Sequence, residues 1–137
     1  MSVFSIIDTS ASGMTAQQLR VDIISNNIAN ADTTRTKTGG PYRREIPIFA
    51  ERLAKTTHGT VGRGVEVVKI ARDQSPFQKV YDPSNPDAGK DGYVKMPNVN
   101  VLREMVDLIS AQRTYEANAT VISNAKAMAS SAVQIGR

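Results

Sequence analysis

Glu104 and Asp107 stand three residues apart in a stretch free of proline and glycine, a spacing that sets two carboxylates on one helix face. Paired carboxylates can do acid and base work when a substrate is held between them. Nothing around them supplies the rest of an active site, so solvated helix charges are the simpler reading. Asp82, Asp87 and Asp91 follow at intervals of five and four, which misses the alternate-residue spacing of an EF-hand calcium loop. His58, the one histidine, precedes Gly59, and neither a His-based triad nor a multi-histidine metal site can be built around it. Gly59-Thr60-Val61-Gly62-Arg63-Gly64 has the glycines of a phosphate loop without its Gly-Lys-Ser/Thr ending or following helix, and reads as a flexible turn.

The absence of cysteine removes disulfides, thiolate metal sites and cysteine nucleophiles. These residues therefore offer no catalytic set, metal site or cofactor site, and the chain reads as something other than an enzyme. Its 137 residues suit one domain with at most a small appended module. Apolar residues are mostly Ala, Val and Ile with few aromatics, so the core must be built from small and β-branched side chains. The start, Met1-Ser2-Val3-Phe4-Ser5-Ile6-Ile7-Asp8, has neither the basic region nor the long apolar run of a cleaved signal peptide. No uninterrupted apolar run approaches the roughly 18 residues of a membrane span.

The formal charge is +4, and residues 33–72 hold nine Lys or Arg against three Glu. Such a basic middle admits an alternative reading as a nucleic-acid-binding or adaptor module. Aromatic residues do not interleave with these charges as single-strand binding requires, so a solvated face or a complement to acidic neighbours is favoured.

Three regions position these residues. Residues 1–32 form an N-terminal helical segment, with apolar positions at Ile7, Ala11, Met14, Val21, Ile24 and Ile28 and a polar face at Ser12, Gln17, Arg20 and Asn27. Ser5 or Asp8 can cap its start, and Asn30 or Asp32 its end. Residues 33–100 are rich in turn formers and contain short strand candidates at 42–49, 65–70 and 77–81, with Pro47 favouring an edge strand. Residues 101–137 contain a second long helix beyond Pro97. One heptad column in it reads Val101, Leu108, Tyr115, Ile122, Ala129, and a companion reads Met105, Gln112, Ala119, Lys126, Val133.

A further stripe, Val121, Ala125, Met128, Ala132, Ile135, leaves the last half of this helix apolar on more than one face. One partner helix cannot cover both faces, and at about 25 cal/mol per Å2 an uncovered stripe forgoes several kcal/mol. The fold expected is mainly α, with the N- and C-terminal helices forming a coiled-coil-like core and a small β or irregular middle extension. Ile7, Met14, Val21, Asn27, Ile28 and Asn30 on the first helix are the candidate assembly residues, with Met105, Leu108, Tyr115, Ile122, Met128 and Val133 on the second.

Asn26, Asn27, Asn30 and Asp32 crowd the end of the first helix, where Asn and Asp accept left-handed backbone and can fix a turn. Such a density of asparagine is poor for helix propensity and points to a shared hydrogen-bonding role. The run Ser25-Asn26-Asn27-Ile28-Ala29-Asn30-Ala31-Asp32-Thr33, followed by Pro41-Tyr42-Arg43-Arg44, resembles the N-terminal signature of bacterial flagellar rod and hook proteins. Tyr81-Asp82-Pro83-Ser84-Asn85-Pro86 and Gly92-Tyr93-Val94-Lys95-Met96-Pro97-Asn98-Val99-Asn100-Val101, leading into Glu104-Met105-Val106, narrow the likeness to proteins of the proximal rod.

That resemblance implies a structural subunit of the torque-transmitting rod whose terminal helices form its inner coiled-coil core, with the middle as a short outer extension. It implies terminal segments that order on assembly and export by the flagellar type III apparatus without a cleaved signal. Implied partners are further copies of the chain and other rod proteins, FlgB, FlgF, FlgG and FliE, at the periplasmic rod of the basal body, with no nucleic acid and no membrane span.

Overall fold

The computed structural model describes residues 3–56 and 59–135; His58 lies outside them. The element order is α1 (Val3–Ala29), β1 (Glu45–Thr56), β2 (Gly59–Arg72), β3 (Gln78–Tyr81), β4 (Tyr93–Met96) and α2 (Val101–Ile135). The expected caps Ser5 and Asp8 lie inside α1. Its other end closes as anticipated, with the Asn30 amide and side chain both donating to the Asn26 carbonyl. No non-glycine residue among those described has positive φ, so this turn is made without left-handed asparagine.

The expectation of a mainly α fold is overturned. Helices of 27 and 35 residues stand beside strands of 12, 14, 4 and 4, which makes a mixed α/β chain. The strands pair antiparallel as two separate ribbons, β1 with β2 and β3 with β4. The first ribbon was underestimated because its register shifts between Ile48 and Phe49 and again between Glu51 and Leu53. Each shift breaks the period-two alternation that marks a strand in sequence. Gly62 and Gly64, taken as turn residues, lie within β2. β4 carried no sequence signal strong enough to be expected, and Pro47 sits in a two-stranded ribbon where both strands are edges.

A two-stranded ribbon is marginal on its own, and this one lies along α1. The Val65 amide donates to Ser12 Oγ at 3.1 Å, and Arg52 Nη2 meets Asp8 Oδ2 at 2.8 Å. Close approach is allowed by Gly64, whose φ of 108° suits glycine and where a Cβ would overlap the Ser12 side chain. Thus α1 is the central element, packed by α2 on one flank and by the ribbon on another. The core is made of small and branched residues, Ala16, Ile23, Ile24, Val94, Val99, Ala111 and Ala125.

Candidate assembly interface

The antiparallel seam between α1 and α2 is built first by small residues. Ala16 on α1 and Ala111 and Ala125 on α2 are buried, and Gly13 brings α2 so close that a Cβ there would lie 3.0 Å from Asn118 Nδ2. The inward face of α2 runs Glu104, Leu108, Ala111, Tyr115, Asn118, Ile122, Ala125, Ala129, alternating four and three residues, all buried or half-buried. Of the column Val101, Leu108, Tyr115, Ile122, Ala129, all but the exposed Val101 lie on this inward face within the single chain. The other inward positions are Glu104, Ala111, Asn118 and Ala125, each one residue before the column Met105, Gln112, Ala119, Lys126. Two polar residues and two alanines give no apolar signal, whereas Met105, which does, faces outward.

The seam opens at one end onto a buried polar junction. Glu104 is fully buried, not a solvated helix charge. Burying a carboxylate is costly unless it is paired and hydrogen-bonded. Arg44 Nε reaches Glu104 Oε1 at 2.5 Å and Asn27 Nδ2 donates to Oε2 at 3.0 Å. Asn27, only 1% exposed, spends its whole amide here. Its Nδ2 also donates to the Glu45 carbonyl, while its Oδ1 accepts from the Glu45 amide and from Tyr42 Oη, each at 2.9 Å.

Arg44 extends the junction through ion pairs to Asp107 at 3.5 Å and Asp73 at 3.8 Å, and Asp107 also meets Arg20 of α1 at 3.3 Å. Asn98, just past the buried Pro97, accepts from the Arg44 amide at 2.8 Å and donates to the Asp73 carbonyl and Ser75 Oγ. Arg43 stacks 4.3 Å over the Phe77 ring and donates to the Asp73 carbonyl. One cluster thus ties together the end of α1, the start of β1, the end of β2 and the approach to α2.

Two titrations record this environment. Burial, with the Glu45 and Glu104 carboxylates beside it, pushes the Tyr42 hydroxyl up to about 12. Hydrogen bonds from the Ser75 amide and hydroxyl, ahead of the nearby Arg44 and Arg43, hold the Asp73 carboxyl below its usual range.

Of the twelve candidate residues, Asn27 lies in the junction and Leu108, Tyr115 and Ile122 in the inner seam. Asn30 bonds Asn26 locally, while Ile7, Met14, Val21 and Ile28 are half-buried at successive intervals of seven on α1. Met105, Met128 and Val133 are exposed. Tyr42, Arg44, Asn98 and Glu104 were not expected to form one cluster, although all four stand in the quoted signature motifs. Leu102, Val106 and Ile109, exposed beside Met105, were not expected either, although their three-and-four spacing was there to be read.

The arrangement can fasten elements and present apolar surface; it offers no substrate chemistry. Among the described residues no three His, Asp or Glu side chains gather as metal ligands, and no helix is long and apolar enough to cross a membrane. In the acidic loop, Asp82 accepts from Ser84, and Asp87 accepts from Thr34 Oγ1 and meets Arg35. Much of the basic middle is answered within the chain, Arg44 by Glu104, Asp73 and Asp107, Arg52 by Asp8 and Arg72 by Glu45.

Residues 7–37 match the family described as flagella basal body rod protein, and residues 90–135 match the flagellar basal body rod FlgEFG protein C-terminal family. These stretches carry most of α1 and all of α2. The chain is 48% identical to the flagellar basal-body rod protein FlgC of Borreliella burgdorferi, over 98% of both chains. It is 43% identical to that of Bacillus subtilis and 39% identical to that of Escherichia coli O157:H7, in each case over the full length of both chains. The protein accordingly belongs to the FlgC family of flagellar basal-body rod proteins and is a structural subunit of the rod, not an enzyme.

Proposed function

We propose that this subunit builds the proximal, torque-transmitting part of the rod by packing α1 and α2 against further copies of itself and against FlgB, FlgF, FlgG and FliE. It reaches the periplasmic rod through the flagellar export apparatus without a cleaved signal peptide. The observation that carries this reading is unspent surface. A globular monomer of 14.8 kDa exposes about 7,000 Å2. This chain exposes 9715 Å2. The excess, about 2,700 Å2, is the size of an obligate interface, and Met105, Met128 and Val133 contribute apolar area to it.

Labour is divided along the chain. Residues 1–32 and 101–137 supply the rod core, and residues 33–100 the outer extension, held to the core by the Asn27–Arg44–Glu104 junction. Ile7, Met14, Val21 and Ile28 complete their burial against neighbours, whereas Leu108, Tyr115 and Ile122 act indirectly by holding the helix pair together. Because α2 is apolar on more than one face, it takes the inner, more heavily contacted position. Addition to the growing rod offsets the ordering of the helix ends by inter-subunit burial.

The test is retention of the chain in isolated basal bodies after Met105→Glu with Met128→Glu. The expected result is normal export with loss of retention and of motility. Wild-type retention of that variant would refute assembly through α2.

A further inference from the structure

We infer that the groove between α1 and the β1–β2 ribbon receives the first turns of α2 from a second copy of this chain. The inference rests on the rod-subunit reading above and specifies one of its contacts. The groove encloses about 810 Å3 and is lined by Met14, Ala16 and Leu19 of α1, Val65 and Val67 of β2, and Tyr115 of α2. All but Ala16 are only half-buried, so the trough keeps apolar surface that the single chain does not cover.

The matching surface is on the outward face of α2. Leu102, Met105, Val106 and Ile109 are 74%, 50%, 62% and 51% exposed. Their spacing of i, i+3, i+4 and i+7 is the anchor set with which an amphipathic helix lies in an apolar groove. They point away from the Glu104–Leu108–Ala111 seam, so the chain cannot fold them into its own groove.

Charge favours the same pairing. Asp22 and Glu66 edge the groove, exposed, and neither has an ion pair among the described residues. Arg103 and Arg113 flank the stripe on α2, also exposed and also without an ion pair among those residues. Two carboxylates without an ion pair among the described residues, of which Asp22 accepts from Gln18 Nε2 at 3.1 Å, therefore answer two guanidinium groups that likewise have none. Groove and stripe are different surfaces, so their pairing is heterologous and repeats as a ring or an open helix. Stripe against stripe would close at a dimer, which builds no rod.

The chain has no cysteine, so the introduced thiols are the only ones it contributes. Copies carrying Gln18→Cys, exposed at the groove, are co-expressed with copies carrying Val106→Cys, on the stripe. Isolated basal bodies are then oxidised and run without reductant. A mixed dimer is expected, absent from either variant alone and lost on reduction. The inference is overturned if retained variants give no mixed dimer, if Val106→Cys alone gives the dimer, or if its thiol links only to a different rod protein carrying a thiol. Asp22→Cys with Arg113→Cys is a second pair, read in the same way, in case one substitution prevents incorporation. Absence of the unsubstituted chain from isolated basal bodies is a different failure, which removes the rod-subunit reading and this contact with it.

Discussion

Replacing Arg44 by leucine tests the junction at its most expensive point. The Glu104 carboxylate has no access to water and is held by Arg44 Nε and Asn27 Nδ2. In Arg44→Leu it keeps only the amide, and Asp107 and Asp73 each lose a cation as well. Removing one partner of a buried pair costs about 3–5 kcal/mol, a large part of the roughly 5–15 kcal/mol that holds an ordinary domain. At roughly 3 °C per kcal/mol for a chain of this size, Tm should fall by about 10–15 °C. Arg44→Leu with Glu104→Leu removes the stranded charge together with its partner, and should be clearly more stable than Arg44→Leu alone. Urea unfolding of the purified chain, followed by circular dichroism, measures all three proteins. A single-variant loss below about 1 kcal/mol, a double variant no more stable than Arg44→Leu, or no cooperative transition in the parent chain would each refute the reasoning.

The raised Tyr42 pKa makes the junction alkali-sensitive. Its contribution is complete below the unfolded tyrosine value near 10 and is lost as pH rises through about 12, so in a spectrophotometric titration of the four tyrosines one should ionise last, and Tyr42→Phe should remove that phase. The lowered Asp73 pKa acts in the opposite sense, giving stability above the unfolded carboxylate range that is lost as pH falls through the depressed folded value. Asp73→Asn should therefore flatten the acid limb of the stability profile. At Gly13 a methyl meets only the end of the Asn118 side chain, so Gly13→Ala should be tolerated, whereas Gly13→Leu should wedge the helices apart at a cost of about 1–3 kcal/mol in urea unfolding. Val106→Asp should leave the purified chain within about 0.5 kcal/mol of the parent because the site is exposed, while Ile122→Asp, facing α1, should destabilise it measurably.

Both long helices were legible in the sequence because proline and glycine are nearly absent from them and because their spacing is helical. The family was legible from the Asn26–Asp32 run and the motifs around Tyr42 and Pro97. The ribbon was not, because its two register shifts break strand alternation and its stability comes from α1 rather than from a core of its own. Glu104 was misread for a different physical reason. A carboxylate three residues from another on a helix is nearly always wet, and what reverses that here is Arg44, sixty positions earlier in the chain. The inward column Glu104, Ala111, Asn118, Ala125 was not legible because it is made of glutamate, alanine and asparagine and carries no large apolar side chain.

That composition explains why the junction is polar. Alanines and a glycine let the two helices approach closely, but they add little to the shape that the half-buried Leu108, Tyr115 and Ile122 offer for distinguishing one register from the next. A slide of one turn would keep much of the alanine contact. It would also separate Glu104 from Asn27 and Arg44 and strand a charge in the interior, which costs more than the small residues could return. The same residues hold the start of β1 through the Glu45 backbone and the approach to α2 through Asn98. Helix register and the position of the β1–β2 ribbon are therefore set by a single cluster, so a force applied to the ribbon would reach both helices at the point where they are tied.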